Sequence, residues 1–90
     1  MMPGEQSEQH LDGGVALDAM RRRLVLTREE VWVLYVGVGG TMGVDRIFDY
    51  LAGGSRLNRH EHNTLVQALN EQFVDRGQNH PIPYIEMANP

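Results

Sequence analysis

Residues 26–41, which read LTREEVWVLYVGVGGT, decide the fold of this 90-residue chain. The quartet Thr27-Arg28-Glu29-Glu30 matches a capping box, in which the Thr27 hydroxyl accepts a hydrogen bond from the Glu30 amide and the Glu30 carboxylate accepts one from the Thr27 amide. The residues that follow, from Val31 to Val38, are rich in β-branched and aromatic side chains and therefore have strand propensity. The two local signals disagree about whether this stretch is a helix.

The availability of partner strands resolves the conflict. A strand that is apolar on both faces needs a neighbour at each edge, but the other extended candidates are only residues 24–26 and the proline-interrupted residues 82–85. We therefore favour a helix, with a strand as the alternative. Steps of about 100° per residue place Val31, Leu34, Tyr35 and Val38 on one face and Trp32, Val33 and Val36 on the other. A helix that is apolar on both faces is either central to the fold or part of an interface.

Two further helices are predicted after this one. The pair Gly39-Gly40 ends the first helix, Thr41 can cap a second one, and Gly53-Gly54 ends that second helix. Asn58 can cap a third helix that runs to about Arg76. The predicted core positions of these two helices are Val44, Ile47, Phe48, Leu51, Leu65, Val66, Leu69 and Phe73, and the predicted outward positions of the second are Asp45, Arg46 and Asp49.

The beginning of the chain lacks a sustained helical period. Residues 1–23 contain Pro3 and, between Gly4 and Gly13, the polar stretch 6–9, so we predict a flexible arm there. Within the arm, Val15, Leu17 and Met20 can form a helical turn on docking. The triple arginine at 21–23 is interpreted as a solvated linker, with a phosphate contact as the alternative.

The end of the chain is predicted to be an extended strap. Pro81 and Pro83 keep it out of a helix, and Ile82 and Tyr84 face the same way in an extended segment, so they can lie back across the helices. The predicted fold is all-α. It is a small three-helix domain at residues 24–85 with a flexible N-terminal arm at 1–23, an extended C-terminal strap and a tail at 86–90.

Composition excludes several classes of protein. Eight arginines, no lysine and twelve acidic residues give a net charge of −4, which argues against bulk binding of nucleic acid or anionic membranes. The absence of cysteine excludes disulfides, thiol nucleophiles and Cys-ligated metals. No run approaches the ~18 apolar residues of a membrane span, and no secretory signal is evident. We therefore expect a cytoplasmic protein without membrane partners, and arginine without lysine is typical of a GC-rich bacterial genome.

The candidate catalytic and metal-binding side chains do not form a recognisable site. His60-Glu61-His62 looks like a metal tripeptide, but residues two apart on a helix project about 200° from each other and cannot reach one ion. His62 falls on the core face of its helix, whereas His60 faces outward. Ser7 and Ser55 have no adjacent base in any readable arrangement. We predict no catalytic residues, no metal, no cofactor and no enzymatic activity.

The segment Gly37–Gly43 supports a minor alternative. It resembles the Gly-x-Gly-Gly turn of nucleotide-binding Rossmann domains over about 25 residues, and this resemblance implies a nucleotide site at a helix N-terminus. However, Met42 stands where the third glycine of that motif belongs, and the sequence offers a single βα unit where the fold needs several. An inter-helix turn is the favoured interpretation.

A helix-turn-helix DNA-binding protein is the main alternative. The second and third helices have roughly that layout, in which the later helix enters the major groove. The residues that would contact DNA are Arg59, His60, Asn63 and Gln67. Arg46, Arg56 and Arg59 are offset by nearby acids, so the phosphate-neutralising charge is sparse. Nucleic acid is a disfavoured partner that the sequence does not exclude.

The favoured hypothesis is a non-enzymatic protein-interaction module with a regulatory or accessory role, whose partner is another protein or a second copy in a homodimer. A three-helix core cannot easily cover both faces of the first helix. The predicted anchors are Trp32, Val33 and Val36, with Tyr84 alongside.

Five short motifs carry a resemblance to a class of small bacterial helical proteins that has no assigned activity. They are Leu-Thr-Arg-Glu-Glu-Val-Trp at 26–32, Gly-Gly-Thr at 39–41, Tyr-Leu-x-Gly at 50–53, Ala-Leu-Asn-Glu at 68–71 and Pro-Tyr at 83–84. The resemblance covers residues 26–85 and implies the limits of a helical domain.

Overall fold

Four helices make up the part of the chain that the structure describes. The computed structural model describes residues 13–78 and 81–85. The helices are α1 (Gly14–Arg23), α2 (Arg28–Gly37), α3 (Val44–Leu51) and α4 (Arg59–Asp75). The all-α prediction is confirmed, and the described residues include no strand. The count of three helices is wrong by one, because part of the predicted arm forms α1. The rest of the arm, residues 1–12, and the tail at 86–90 lie outside the described residues.

Helix α1 was missed because it has no capping side chain and part of what stabilises it comes from other elements. Gly13 occupies its N-cap position and contributes no capping side chain. Instead, Leu17 is buried in the core, and Asp18, which is 1% exposed, forms ion pairs with Arg21, Arg22 and Arg28. Arg28 belongs to α2, so the cluster ties the two helices together. The arginine run thus belongs to helix α1 and is not a linker, whereas the prediction that it is solvated holds for Arg22 and Arg23, which are exposed.

Helix α2 confirms the decision in favour of a helix over residues 31–37. The predicted capping box is present, with the Glu30 N–H donating to Thr27 Oγ1 at 3.0 Å and the Thr27 N–H donating to Glu30 Oε1 at 2.7 Å. Val31 and Tyr35 are completely buried. Helix α2 packs mainly against α4 and α3, so one of its two apolar faces is used inside the protein.

Helix α3 begins two residues later than predicted. Gly43 is its N-cap, so the assignment of Thr41 as the cap is wrong. The Thr41 hydroxyl instead donates to the Glu61 carboxylate of α4 at 3.1 Å. Asp45, Arg46 and Asp49 are exposed as expected. The chain leaves α3 through Gly53, whose φ of +89° is a left-handed value that favours glycine.

Helix α4 is the longest element and lines the core along most of its length. The predicted Asn58 cap is confirmed by a hydrogen bond of 2.9 Å from the Glu61 N–H to Asn58 Oδ1. The predicted core stripe is also confirmed, since Leu65, Val66, Leu69 and Phe73 are all buried. After α4 the strap returns, and Ile82 is buried against the helices. No helix of the described residues is both long and apolar enough to cross a membrane.

Candidate functional site

The outer face of α2 is an apolar surface beside a groove. Val33 is 58% exposed and Val36 is 43% exposed, although both are aliphatic. A groove of about 420 Å³ lies between the start of α2 and the last third of α4. It is lined by the apolar residues Leu26, Val33 and Leu34 and by the polar residues Glu29, Glu30 and Gln72. We call these six residues, together with Val36, the α2 surface.

Trp32, one of the predicted interaction anchors, also makes a contact within the protein. Its ring is partly buried, and its Nε1–H donates to the Met42 carbonyl at 3.1 Å. The indole therefore fastens the loop between α2 and α3. Among the predicted anchors, the structure brings Trp32, Val33 and Val36 together on one helix. It places Tyr84 elsewhere, beside α4, in a smaller groove with His60 and Gln67.

Val25 is a feature that the sequence analysis missed. It has a φ of 59°, in the left-handed region, and it is 85% exposed. The hydrogen bonds from the Val25 N–H to the Arg22 carbonyl and from the Leu26 N–H to the Arg21 carbonyl close a Schellman turn after α1, in which this position is usually glycine. A β-branched residue here is strained. Val25 directly precedes Leu26, which lines the groove.

A buried polar cluster holds the glycine-rich loop between α2 and α3. The Tyr35 hydroxyl donates to the Glu61 carboxylate and accepts hydrogen bonds from the N–H groups of Thr41, at 3.1 Å, and Met42, at 2.9 Å. Burial, with the Glu61 hydrogen bond as a smaller cause, raises the pKa of Tyr35 to about 12. Gly40 allows the close approach of the loop, because a Cβ there would overlap the Tyr35 ring.

This cluster bears on the nucleotide alternative. The N–H groups of Thr41 and Met42 would have to point at a pyrophosphate in a Rossmann-like turn. In the structure the Tyr35 hydroxyl accepts from both, and the Gly40 N–H donates to the Tyr35 carbonyl at 2.9 Å. The loop is thus built as an inter-helix turn whose donors are used internally.

The four residues of α4 that were predicted to contact DNA differ in exposure and in their contacts. His60 and Gln67 are exposed, and Arg59 is partly buried. The amide of Asn63 bonds to the backbone of Ile85 in the strap, which therefore lies on the face that would enter a major groove. The structure brings His60, Asn63 and Gln67 together around the groove that Tyr84 also lines. Arg59 does not line it.

The titratable groups of the core have structural partners. His62 is buried, as predicted, and its Nδ1 shares a hydrogen bond of 2.7 Å with the Tyr50 hydroxyl. Burial lowers the pKa of His62. The Ser55 hydroxyl is buried with no hydrogen-bond partner within the described residues. In the same part of the chain, no three His, Asp or Glu side chains converge in a way that could hold a metal ion.

Comparisons with known proteins do not indicate a function for the chain. No protein-family model matches the chain, and no match was found among curated proteins or solved structures.

Proposed function

We propose that the protein is a non-enzymatic interaction module, with a regulatory or accessory role, that binds another protein through the α2 surface. The observation that carries this proposal is the groove formed by Leu26, Val33 and Leu34, with exposed valines on the same helix. Isolated exposed aliphatic residues are common in proteins. A groove whose apolar walls continue onto an exposed helix face is instead typical of a site that receives a partner's side chains.

Burial of the two exposed valines by a partner would contribute substantially to the affinity of binding. Full burial of a valine is worth about 1.5 kcal/mol or more, and Val33 and Val36 each retain roughly half of their surface for a partner. Their joint burial would contribute on the order of 2 kcal/mol, which is a factor of about 30 in affinity. Glu29 and Glu30 at the groove favour a partner that carries Arg or Lys beside its apolar anchor.

Substitution of the exposed valines tests the proposal. The variant Val33→Ser/Val36→Ser removes the apolar surface. The variant Val15→Ser/Val74→Ser is a matched control, since Val15 is 56% exposed and Val74 43% exposed and neither residue belongs to the α2 surface. Each tagged full-length chain is used to capture proteins from its own cells, and the captured proteins are compared by mass spectrometry. We expect one or more proteins to be captured by the wild type and the control and lost with the α2 variant. Identical capture by all three chains would contradict the proposal.

Sedimentation equilibrium identifies the case in which the partner is a second copy. A wild-type dimer that becomes monomeric on Val33→Ser/Val36→Ser, and stays dimeric on Val15→Ser/Val74→Ser, would assign the α2 surface to a homodimer. A wild-type monomer would exclude a homodimer on the α2 surface and leave a different protein, detected by the capture experiment, as its partner.

A further inference from the structure

Two asparagines on α4 hold the backbone of the strap at two points. Asn70 Nδ2 donates to the Ile82 carbonyl at 2.8 Å, and the Ile82 N–H donates to Asn70 Oδ1 at 3.1 Å. Asn63 Nδ2 donates to the Ile85 carbonyl at 2.7 Å, and the Ile85 N–H donates to Asn63 Oδ1 at 2.8 Å. Each amide therefore satisfies both backbone groups of one strap residue, as a neighbouring β-strand would.

The spacing of the two asparagines matches that of the strap. Residues seven apart on a helix are separated by about 10.5 Å along its axis, and three residues of extended chain span about 10 Å. Asn63 and Asn70 are seven apart, whereas Ile82 and Ile85 are three apart. Because Asn70 pairs with Ile82 and Asn63 with Ile85, the strap runs antiparallel to α4. Any extended segment can meet these hydrogen bonds, since they involve only its backbone.

The side chains of the strap add selectivity. Ile82 is buried, so the site includes an apolar pocket for one anchor. Pro81 and Pro83 have no N–H, and they stand at positions where Asn63 and Asn70 require none. Asn70 is completely buried, and loss of its partner would leave a buried amide without hydrogen bonds, which is unfavourable. This part of α4 thus requires an occupant. We call Asn63, Asn70 and the pocket of Ile82 the backbone clasp.

We propose that the backbone clasp is a peptide-binding site, and that the strap of a second copy of the chain can occupy it in place of the molecule's own strap. The second copy is the occupant whose fit the structure already shows, because it carries the same Pro-Ile-Pro-Tyr-Ile segment at 81–85. The N-terminal residues 1–12 contain no isoleucine and a single proline, so they lack this chemistry. The proposal is independent of the α2 surface.

Competition within the molecule sets the conditions for exchange. A strap joined by a short connection has an effective concentration on the order of 1 mM at its own clasp. Exchange between copies, which conserves all the contacts of the clasp, is therefore a minor population in dilute solution and grows as the protein concentration approaches that value. Any second contact that holds two copies together would favour it further.

Paramagnetic broadening detects exchange in the full-length protein. Because the chain contains no cysteine, Tyr84→Cys can carry a single nitroxide label. This chain is mixed at about 1 mM with ¹⁵N-labelled wild type, so that any broadening of the ¹⁵N signals is intermolecular. We expect selective broadening of the side-chain amides of Asn63 and Asn70, which weakens on dilution and is absent when the nitroxide is carried by Val15→Cys. No selective broadening at this concentration would overturn the exchange of straps.

A peptide of residues 78–90 tests the clasp as a binding site. We expect the fluorescein-labelled peptide to bind full-length Ile82→Ser about tenfold or more tightly than wild type, because the variant's own strap no longer competes. Adding Asn70→Ala to that variant should remove the gain. A control peptide with serine at position 82 should bind neither chain. Equal binding of both peptides by a folded Ile82→Ser chain would refute the clasp; if circular dichroism shows that this variant is unfolded, the nitroxide experiment decides.

Discussion

Val25 adopts a backbone conformation that is usually left to glycine, and its side chain gains little burial in return. A left-handed backbone in a residue other than glycine costs about 1 kcal/mol or more. Replacement by glycine removes this strain, but it also raises the conformational entropy of the unfolded chain, which offsets part of the gain in stability. We predict that Val25→Gly raises the free energy of unfolding by roughly 0.5–1 kcal/mol, measured by urea denaturation. Val25→Ala, which keeps a Cβ but is not β-branched, should gain less. A less stable Val25→Gly variant would show that the valine is not strained.

The contribution of Asp18 to the free energy of unfolding should decrease at acid pH. Burial alone raises the pKa of this carboxylate, but hydrogen bonds from Arg28 and Arg21 outweigh burial and hold the pKa well below its ordinary value of 3.8. Its contribution is therefore complete above about pH 4 and decreases as the pH falls towards the lower pKa of the folded state. We predict that Asp18→Asn lowers the free energy of unfolding at pH 7 by about 2 kcal/mol, and that this loss shrinks below pH 4. A loss that is unchanged down to pH 2 would contradict the ion-pair explanation.

The structural role of a residue could be predicted from the sequence where its partner is local, and could not where its partner is distant in the chain. Thr27 and Asn58 were identified as caps because their partners lie three residues away. The role of Glu61 was not predictable, because its carboxylate bonds to Tyr35 and Thr41, which lie 26 and 20 residues away. Glu61 also lies three residues after the Asn58 cap, a position where a carboxylate commonly bonds locally to the cap backbone instead.

At the scale of elements, the Tyr35 hydroxyl connects α2, α4 and the loop between α2 and α3. Tyr35→Phe preserves the packing of the ring but leaves the Glu61 carboxylate and two loop N–H groups without this partner. We predict a loss of about 2 kcal/mol in the free energy of unfolding and faster amide exchange at Thr41 and Met42. Thr41→Val, which removes only the weaker contact with Glu61, should have a smaller effect. Unchanged exchange in Tyr35→Phe would contradict the role of the hydroxyl.

His62 connects α4 to α3 through Tyr50, and its contribution should be sensitive to pH. Burial lowers its pKa below the ordinary value of 6.5, so the folded state favours the neutral ring and unfolding takes up a proton. Stability is therefore fully present above pH 6.5 and is lost as the pH falls towards the lower pKa of the folded state. We predict that the thermal midpoint of the wild type falls between pH 7 and pH 5, and that His62→Gln flattens this dependence. His60→Gln is the exposed control and should retain it.

The elements themselves were predictable to different degrees. The stretch 31–37 was identified as a helix because no partner strand existed for it, and α2 confirms this reasoning. Helix α1 was missed because Gly13 gives no capping signal and because the pairing of Asp18 with Arg28 of α2 forms only in the folded chain. The start of α3 was misplaced because Thr41, a good cap by residue type, bonds to Glu61 instead.

At the scale of the whole molecule, the two-sided helix predicted an exposed apolar face, and Val33 and Val36 are exposed on it. The groove beside them was not predictable, since Gln72 reaches it from α4 and Leu26 from the turn before α2. Tyr84 was grouped with these residues by its chemistry alone, and the strap carries it to another side of α4. A domain of this size buries only about 60–65% of its unfolded surface, so a partner on the α2 surface would add substantially to its stability.

Photo-cross-linking in the cell measures most directly whether the α2 surface contacts a protein. Benzoylphenylalanine replaces Val33 in one full-length chain and Val15, which has almost the same exposure, in another. After irradiation, we predict that the chain labelled at position 33 forms a discrete covalent adduct with one protein, or with a second copy of itself, and that the chain labelled at position 15 does not. If position 33 gives no adduct, or only the adducts that position 15 gives, the α2 surface is not the binding site of this protein.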